Sequence, residues 1–417
     1  MKLLQKITEV EQRIQDKTGR SPGQLVFWPT FCLLVVIHCL WNTSLIYLDV
    51  WWLTGVKLLR YGLYVIVLFK CFFLTRYEKS DLFACALFLG LSGLSFFFAG
   101  DSTLLEFSLI VLFAKDMPAR KLLMVLTSIK FLAVVLTISF SCIGILPTLQ
   151  YQNGDAGAYN TFGFCHRNVL GANMVFLCLS WFYLRFRKIS LWDLLLWLAL
   201  SIVTYYLAVS RSSLLMMLAI TAGMFLAQQM RKTIRDIPHL RKLICGFFLF
   251  LLICSALCTI FYRADSPFWA LLDKFFTKRL RFANYCLENY GLSVFGQNLP
   301  FVSSMEAQMG GSAKLILDNA YMRVILYYGI IPGFCFLFYY FRCLDTACRQ
   351  KNIPLAAAML FFAVYGLSER FMLGVFYNFP LLIAGLDRRS FKSSHTQSIT
   401  PIEGICILIQ DIRRNLS

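Results

Sequence analysis

The chain has 417 residues, of which 59% are hydrophobic and only 15% carry a charged side chain. A soluble globular protein is about 45–50% apolar and about 25% charged, so this composition excludes an ordinary soluble enzyme and indicates a membrane protein. The net charge of +18 has a simple origin in that class, because Lys and Arg are retained on the cytoplasmic side. No basic run is interleaved with aromatic residues in a polar segment, so we predict no nucleic-acid partner.

The apolar runs predict an all-α polytopic membrane protein with about twelve transmembrane helices, since one span needs about 20 apolar residues. In chain order the predicted spans are 25–42, 51–75, 81–99, 102–114, 122–147, 168–184, 190–209, 212–230, 243–262, 319–341, 353–366 and 371–386. Charged residues weaken two of these spans, namely Lys57, Arg60 and Lys70 in the second and Glu106 in the short fourth one.

The basic residues predict an orientation for these spans. If the chain starts inside and alternates, most of its 40 Lys and Arg residues fall in cytoplasmic loops and terminal segments, as the positive-inside rule requires. The result is a transmembrane domain over 25–386 with two large outer loops, 148–167 and 263–318. Both termini are then cytoplasmic, as a segment at 1–24 and a tail at 387–417.

The longer outer loop contains an apolar pattern at helical spacing over 268–287, with Lys and Arg between the apolar residues. This pattern predicts an amphipathic helix on the outer leaflet, and Gly310 and Gly311 are expected to break the chain after it.

Cys165 and Cys286 are the two cysteines predicted in outer loops, which leaves a disulfide between them open. The absence of Cys-x-x-Cys pairs and Cys/His clusters predicts no metal and no cofactor.

Four polar clusters fall on the predicted outer face. In the first, FGFCHRNVLGANM (162–174), His166 and Arg167 lie at the interface and Asn168 is expected to cap the next helix. Either these residues are an interfacial anchor with a cap, or they form a site for an anionic headgroup at a helix N-terminus. Gly171 is expected to allow close helix packing.

The second cluster is SRSS at 210–213, a hairpin with almost no loop. Arg211 either extends to lipid phosphate or binds a ligand, and the scarcity of basic residues on this face favours a ligand.

The fourth cluster, GLSER at 366–370, contains Glu369 and is either a solvated turn or part of a site.

The third cluster combines the long loop with the start of the next span. Arg279 and Arg281 lie in the loop, and Arg323 lies about one turn into the span, where a charge is costly and marks a functional candidate. Asp318 is the expected partner of Arg323, either in a pair that only fixes helix packing or in a working site. Together the four clusters supply several Arg residues, a His and carboxylates, which suit a phosphate-bearing lipid substrate.

Four segments resemble, in order, motifs of the bacterial Wzy-type polysaccharide polymerases within the O-antigen ligase-like superfamily. The matching segments are FGFCHRNVLGANM (162–174), SRSSLL (210–215), RLRFANYCLENYGLSVFGQNL (279–299) and DNAYMRVILYYGIIPG (318–333). The resemblance covers about residues 80–386. Arg167 departs from the pattern, because the family often has Pro there.

The resemblance implies a metal-independent glycosyltransferase in the bacterial inner membrane. Such proteins polymerise oligosaccharide repeats carried on undecaprenyl diphosphate into capsular, exo- or O-antigen polysaccharide, alongside a flippase and a chain-length regulator. The expected base is Asp318 or His166, with Glu369 supporting the site. The residues expected to bind the diphosphate are Arg211, Arg279, Arg281, Arg323 and Arg167.

Two other functions remain open. A glycan ligase shares the chemistry but moves finished glycan to a different acceptor. A transporter or lipid-linked glycan flippase is favoured only by Lys70 and Lys130, two cations within spans that the polymerase interpretation leaves unexplained.

Overall fold

The computed structural model describes residues 16, 19–48, 51–152, 158–229, 239–303, 314–386 and 400–401. The break predicted at Gly310 and Gly311 lies outside these residues, as do most of 1–24 and 387–417. The longer helices are α1 (Pro22–Trp41), α2 (Trp52–Phe69), α3 (Lys79–Ala99), α4 (Thr103–Phe113), α5 (Ala119–Cys142), α6 (Arg167–Arg185), α7 (Leu191–Ala208), α8 (Arg211–Gln229), α9 (Leu240–Ile260), α10 (Pro267–Phe275), α11 (Arg279–Tyr290), α12 (Ala320–Leu326), α13 (Ile330–Arg349), α14 (Ile353–Gly366) and α15 (Phe379–Leu386). A small antiparallel hairpin pairs β1 (Gln150–Gln152) with β2 (Ala158–Asn160).

Seven helices of the described chain are long and apolar enough to cross a membrane. They are Pro22–Trp41, Asp81–Ala99, Ala119–Cys142, Arg167–Lys188, Leu191–Ala208, Arg211–Gln229 and Leu240–Ile260. Thr103–Phe113 and Ile353–Tyr365 are apolar but shorter. The predicted helical, polytopic membrane protein is therefore confirmed, whereas the number of twelve spans and the side of each terminus stay predictions.

Three of the four charges that weaken two predicted spans, Arg60, Lys70 and Glu106, have partners inside the bundle. Arg60 of α2 donates to both carboxylate oxygens of Glu106 in α4 at 2.9 Å, and the Tyr64 hydroxyl donates to the same carboxylate. The buried Lys70 ammonium donates to the Phe113 carbonyl at 2.6 Å. A cation at the last carbonyls of α4 stabilises the end of that helix, so Arg60, Glu106 and Lys70 have structural roles, whereas Lys57 is exposed.

The predicted span 319–341 is not one helix, and this prediction is wrong in detail. The chain forms the short α12, leaves helical geometry, and then forms α13. Backbone groups in the break bond to the segment that follows α11: the Gln297 N–H donates to the Tyr327 carbonyl at 3.0 Å, and the Ile330 N–H donates to the Ser293 carbonyl at 2.9 Å. Non-helical backbone is tolerated in a membrane protein only where such partners are present.

The predicted span 371–386 is also interrupted. It begins with a 3₁₀ helix at Arg370–Leu373 and becomes regular only at α15. Asn378 stabilises the irregular stretch, because its side-chain amide donates to the Met372 carbonyl at 2.7 Å and its oxygen accepts from the Leu381 N–H at 3.3 Å.

The predicted amphipathic helix over 268–287 is two helices, α10 and α11. The chain turns between them at Lys278, where φ is +65°. The buried Asp273 fixes the turn by accepting from the Arg281 N–H at 3.1 Å, which satisfies one of the free donors at the start of α11. This turn directs Arg279 into the bundle, where it is buried.

Helix α6 lies at the centre of the bundle and packs closely against α8. A Cβ atom at Gly171 would lie 2.3 Å from the Ser213 hydroxyl, so only glycine permits this approach. The close packing expected at Gly171 is confirmed. It brings the first turns of α6 and α8 side by side, and the candidate site forms there.

Candidate functional site

Glu369 is the centre of a buried polar cluster, which we call the Glu369 cluster. It lies in the turn after α14 and accepts from Arg279 of α11 at 2.5 Å, from Ser212 of α8 at 2.7 Å and from Asn168 of α6 at 3.2 Å. Four elements that are distant in sequence therefore meet at one carboxylate. This geometry excludes the interpretation of 366–370 as a merely solvated turn, since Glu369 is 1% exposed.

Asp318 is the second carboxylate of the site. Its Oδ2 lies 3.9 Å from Nη2 of Arg279, and its side chain is 17% exposed whereas that of Glu369 is 2% exposed. Asp318 directly precedes Asn319, whose side chain caps α12 by accepting from the Met322 N–H at 3.1 Å. The cap fixes the backbone beside Asp318, so this carboxylate is both held in place and open to a ligand.

Arg279 lies beside both carboxylates, and one of its N–H donors has no hydrogen-bond partner among the described residues. Its Nη2 contacts Glu369 and its Nη1 donates to the Phe276 carbonyl at 3.4 Å. Its Nε is buried and has no hydrogen-bond partner among the described residues. A buried donor without a partner is costly, so this atom is suited to a ligand oxygen.

Burial sets the electrostatics of Glu369. It raises the pKa of the Glu369 carboxyl to about 7, and the nearby Asp318 acts in the same direction. Arg279 and the hydroxyl of Ser212 oppose this rise by stabilising the ionised form. Glu369 therefore depends on its donors to remain charged near neutral pH.

His166, and not Asn168, caps α6, so the predicted cap was two residues late. Nδ1 of His166 accepts from the backbone N–H of Asn168 at 3.1 Å, which places the proton of the neutral ring on Nε2. The side chain of Asn168 is instead directed to Glu369.

The protonation of His166 also bears on its predicted role as a base. Burial lowers the pKa of His166 to about 4, and Arg167, Lys314 and Arg370 act in the same direction, while Asp318 opposes them. The ring is thus neutral at pH 7, but its basic nitrogen already accepts the cap hydrogen bond. Asp318 is the better candidate for the general base.

Basic side chains surround the site. The pKa of Lys314 is lowered by burial and by its neighbours Arg167, Arg279 and Lys278, and it is raised by Asp318. These charged groups are therefore close enough to shift the pKa of Lys314. Because the basic side chains outnumber the two carboxylates, the site favours an anionic ligand.

Arg323 has a different partner from the one expected. It pairs with Asp101 at 3.6 Å, donates to the Leu317 carbonyl at 3.3 Å and lies 4.7 Å from the Phe301 ring centroid. The predicted pair of Arg323 with Asp318 is therefore wrong. The Asp101 pair ties α12 to the turn between α3 and α4, so Arg323 supports the fold beside the site.

Arg211 and Arg281 are both exposed. Arg211 opens α8 two residues after Val209, a residue at φ +48° whose carbonyl accepts from Arg167 at 3.4 Å. Its neighbour Ser212, which the sequence did not single out, is the residue that enters the Glu369 cluster. Arg211 is thus a solvent-facing cation held at the edge of the buried site.

Cys165 and Cys286 are not joined by a disulfide, so the bond that the sequence left open does not form. In the described ranges, no three His, Cys, Asp or Glu side chains are grouped closely enough to hold a metal ion.

Comparisons with models of protein families, with curated proteins and with solved structures found no match for this chain.

Proposed function

We propose that this protein is a polymerase of glycan repeats carried on undecaprenyl diphosphate, acting on the outer face of the bacterial inner membrane. The observation that supports the proposal is the meeting of Arg279, Asp318 and Glu369 with the first turns of α6 and α8. The proposal includes the twelve spans and the cytoplasmic termini, which place this cluster outside. A diphosphate leaving group needs cations, and a sugar hydroxyl acceptor needs a base.

In the proposed reaction, Asp318 removes the proton of an acceptor sugar hydroxyl. The hydroxyl oxygen then bonds to the anomeric carbon of the growing chain, and the bond between that carbon and the diphosphate oxygen breaks. The electron pair leaves with undecaprenyl diphosphate. Nε of Arg279 is available to the developing charge, and the exposed Arg211 lies where a substrate diphosphate can reach it.

Glu369 has a positioning role in this scheme. Arg279 is buried, and an unpaired buried cation costs several kcal/mol. Glu369 supplies the countercharge at Nη2 of the guanidinium, while Nε has no hydrogen-bond partner among the described residues. Ser212 and Asn168 fix the carboxylate in turn, which makes the cation preorganised for the leaving group.

The test is elongation of a synthetic undecaprenyl-diphosphate-linked repeat by the purified protein in detergent, with products resolved by length. Asp318→Asn should lower the elongation rate by about a hundredfold or more, as expected for loss of a general base. Asp265→Asn, which changes an exposed carboxylate of the same outer segment, should elongate at the wild-type rate. Normal elongation by Asp318→Asn would remove this residue from the chemistry.

A ligase would share the cluster and its chemistry. The two functions differ in the acceptor, so the same assay separates them: a polymerase lengthens the lipid-linked repeat itself, whereas a ligase needs a second, different acceptor.

The burial of Lys130 inside the bundle is the observation that favours a flippase or transporter. Lys130 is fully buried in α5, has no hydrogen-bond partner among the described residues, and lies 3.5 Å from the Tyr377 ring centroid and 4.5 Å from that of Phe176. The two rings stabilise the cation, and Lys70 has its own helix-end role. Elongation in detergent, where nothing is transported, would rule out a pure transporter.

A further inference from the structure

A cavity of about 470 Å³ lies between α3, α4 and α13, away from the Glu369 cluster. Helix α3 connects the two regions: Ser95, near its C-terminal end, donates to the Tyr328 carbonyl in the break before α13, while Asp81, Ala84 and Phe88 of its first half line the cavity. The volume is within the range of about 300–1,000 Å³ that bound small molecules occupy. The positive-inside rule predicts that this end of the bundle is cytoplasmic.

The inner part of the cavity is apolar. Phe88 and Tyr339 line it and stack on each other with their ring centroids 5.7 Å apart, and Val111 and Leu112 of α4 complete the wall. Phe338, which is 53% exposed on α13, lies at its edge. The cavity therefore lies along surfaces that face lipid, and an acyl chain fits this lining.

The rim of the cavity is charged, and the two signs are unevenly distributed. Arg342 is exposed on the α13 wall, whereas the carboxylates of Glu78, Asp81 and Asp116 lie on the wall formed by the start of α3 and the end of α4. Arg76 and Lys115 are on the same wall as these three carboxylates, and the Lys115 ammonium lies 4.0 Å from the Tyr77 ring centroid. One wall is thus basic and the other is mixed with an excess of acid.

We propose that this cavity binds a zwitterionic phospholipid of the cytoplasmic leaflet, phosphatidylethanolamine. One acyl chain occupies the apolar part, the phosphate contacts Arg342, and the ammonium contacts the carboxylates that include Asp81. Charged pockets between transmembrane helices at the cytoplasmic side are typical lipid headgroup sites, and guanidinium binds phosphate well. A polyprenyl phosphate has no cation for the acidic wall, so the rim favours the zwitterionic lipid.

Native mass spectrometry of the full chain in detergent, with equal amounts of phosphatidylethanolamine and phosphatidylglycerol, tests the cavity. The wild type should retain more phosphatidylethanolamine. Ala84→Trp fills the cavity and should lower retention about tenfold, which corresponds to about 1.4 kcal/mol. Ala86→Trp is the matched control, because Ala86 is exposed on the same helix and does not line the cavity. All variants must elute as single peaks in size-exclusion chromatography.

Two charge variants test the headgroup contacts. Arg342→Ala should weaken retention of both lipids, because both have a phosphate, whereas Asp81→Asn should weaken only phosphatidylethanolamine. Arg187→Ala, at an exposed residue after α6, should change neither.

The proposal is overturned if Ala84→Trp retains as much lipid as Ala86→Trp. Equal retention of the two lipids by the wild type overturns the zwitterionic assignment. Displacement of phosphatidylethanolamine by an equal amount of added polyprenyl phosphate, abolished in Ala84→Trp, would assign the cavity to the substrate lipid instead.

Discussion

The carboxylate of Glu369 accepts hydrogen bonds from three side chains on three helices, and Asp318 is the more exposed acid. These surroundings separate two roles that the sequence could not separate. A carboxylate surrounded by donors holds its neighbours in place, whereas a more open carboxylate at 3.9 Å from Arg279 can take a proton from a substrate. At the residue scale, the site thus consists of a buried pair and an accessible base.

Arg211 differs from Arg279 in a way that mutations can measure. Because Arg211 is exposed, Arg211→Ala should leave the thermal unfolding temperature unchanged yet reduce polymer yield by about a hundredfold, the effect of losing one stabilising donor of about 3 kcal/mol. Arg211→Lys should restore only a minor fraction, since a point charge lacks the planar fork. Polymer is measured in a deletion strain with protein level checked by blot.

The control is Arg263→Ala, at another exposed outer-segment arginine, which should make normal polymer. Wild-type polymer from Arg211→Ala would show that Arg211 only anchors the hairpin to lipid.

His166 predicts a pH dependence of stability. Its pKa of about 4 in the folded protein is below the ordinary value of 6.5, so the unfolded chain takes up the proton first as pH falls. The stability that neutral His166 contributes is complete above pH 6.5 and is lost progressively down to pH 4, with a total of about 3 kcal/mol. His166→Asn keeps a good helix cap without titrating.

The measurement is the thermal unfolding temperature in detergent from pH 7 to pH 4. The wild type should lose more stability than His166→Asn over this range, while His239→Asn, at an exposed histidine, should follow the wild type. Parallel curves for the wild type and His166→Asn would show that the ring is protonated in both states alike.

The site residues were largely predictable, because charged residues stand out in an apolar chain and burial is costly for them. Their pairing was not predictable. Arg323 was assigned to the nearby Asp318, but its partner is Asp101, which is far away in sequence. The role of Ser212 was not predictable for a related reason: its hydrogen bond to Glu369 exists only because the fold places α8 beside that residue.

At the element scale, hydropathy predicted where helices lie but not where they stop. The run at 319–341 is apolar throughout, so its composition could not show that Tyr327–Gly329 leaves the helix. The break is set by hydrogen bonds from the outer segment 291–297. The length of an apolar run indicates that its side chains avoid water. It does not indicate which of its backbone groups form hydrogen bonds with other segments.

Gly329 is the residue on which this break depends. Its φ is +97°, and a Cβ atom there would lie 2.3 Å from the Gly296 backbone nitrogen. Gly329→Ala should therefore lower the free energy of unfolding by at least about 2 kcal/mol, from backbone strain and the clash together. The measurement is thermal or denaturant unfolding in detergent.

Gly246→Ala is the matched control. Gly246 is inside α9 and a Cβ atom there meets nothing within 4 Å, so alanine should be neutral or stabilise by about 0.5–1 kcal/mol. Similar stability for the two variants would mean that the chain at 296 and 329 can separate without cost.

At the scale of the whole molecule, the polar features lie in two separate regions. The Glu369 cluster is at the start of α6 and α8, whereas the lipid cavity is at the start of α3 and the second half of α13. Between them, Arg60 and Glu106 form an ion pair within the bundle, and the buried Lys130 contacts the rings of Tyr377 and Phe176. This separation agrees with an enzyme whose site faces one side, because a transporter needs polar residues along a path between the two sides.

The orientation of the molecule is the prediction on which the proposed chemistry depends. Lys and Arg are concentrated in the short loops that the alternating topology places inside, and such loops resist translocation. Reporter fusions after residues 155 and 290 should therefore report the outer side, and fusions after 235 and 390 the cytoplasm. The fusion after 290 is decisive, because it directly follows α11, the helix that carries Arg279. A cytoplasmic report at 290 would put the Glu369 cluster on the side where finished repeats are not polymerised, and the polymerase proposal would then fail together with the assignment of Arg211 and Asp318.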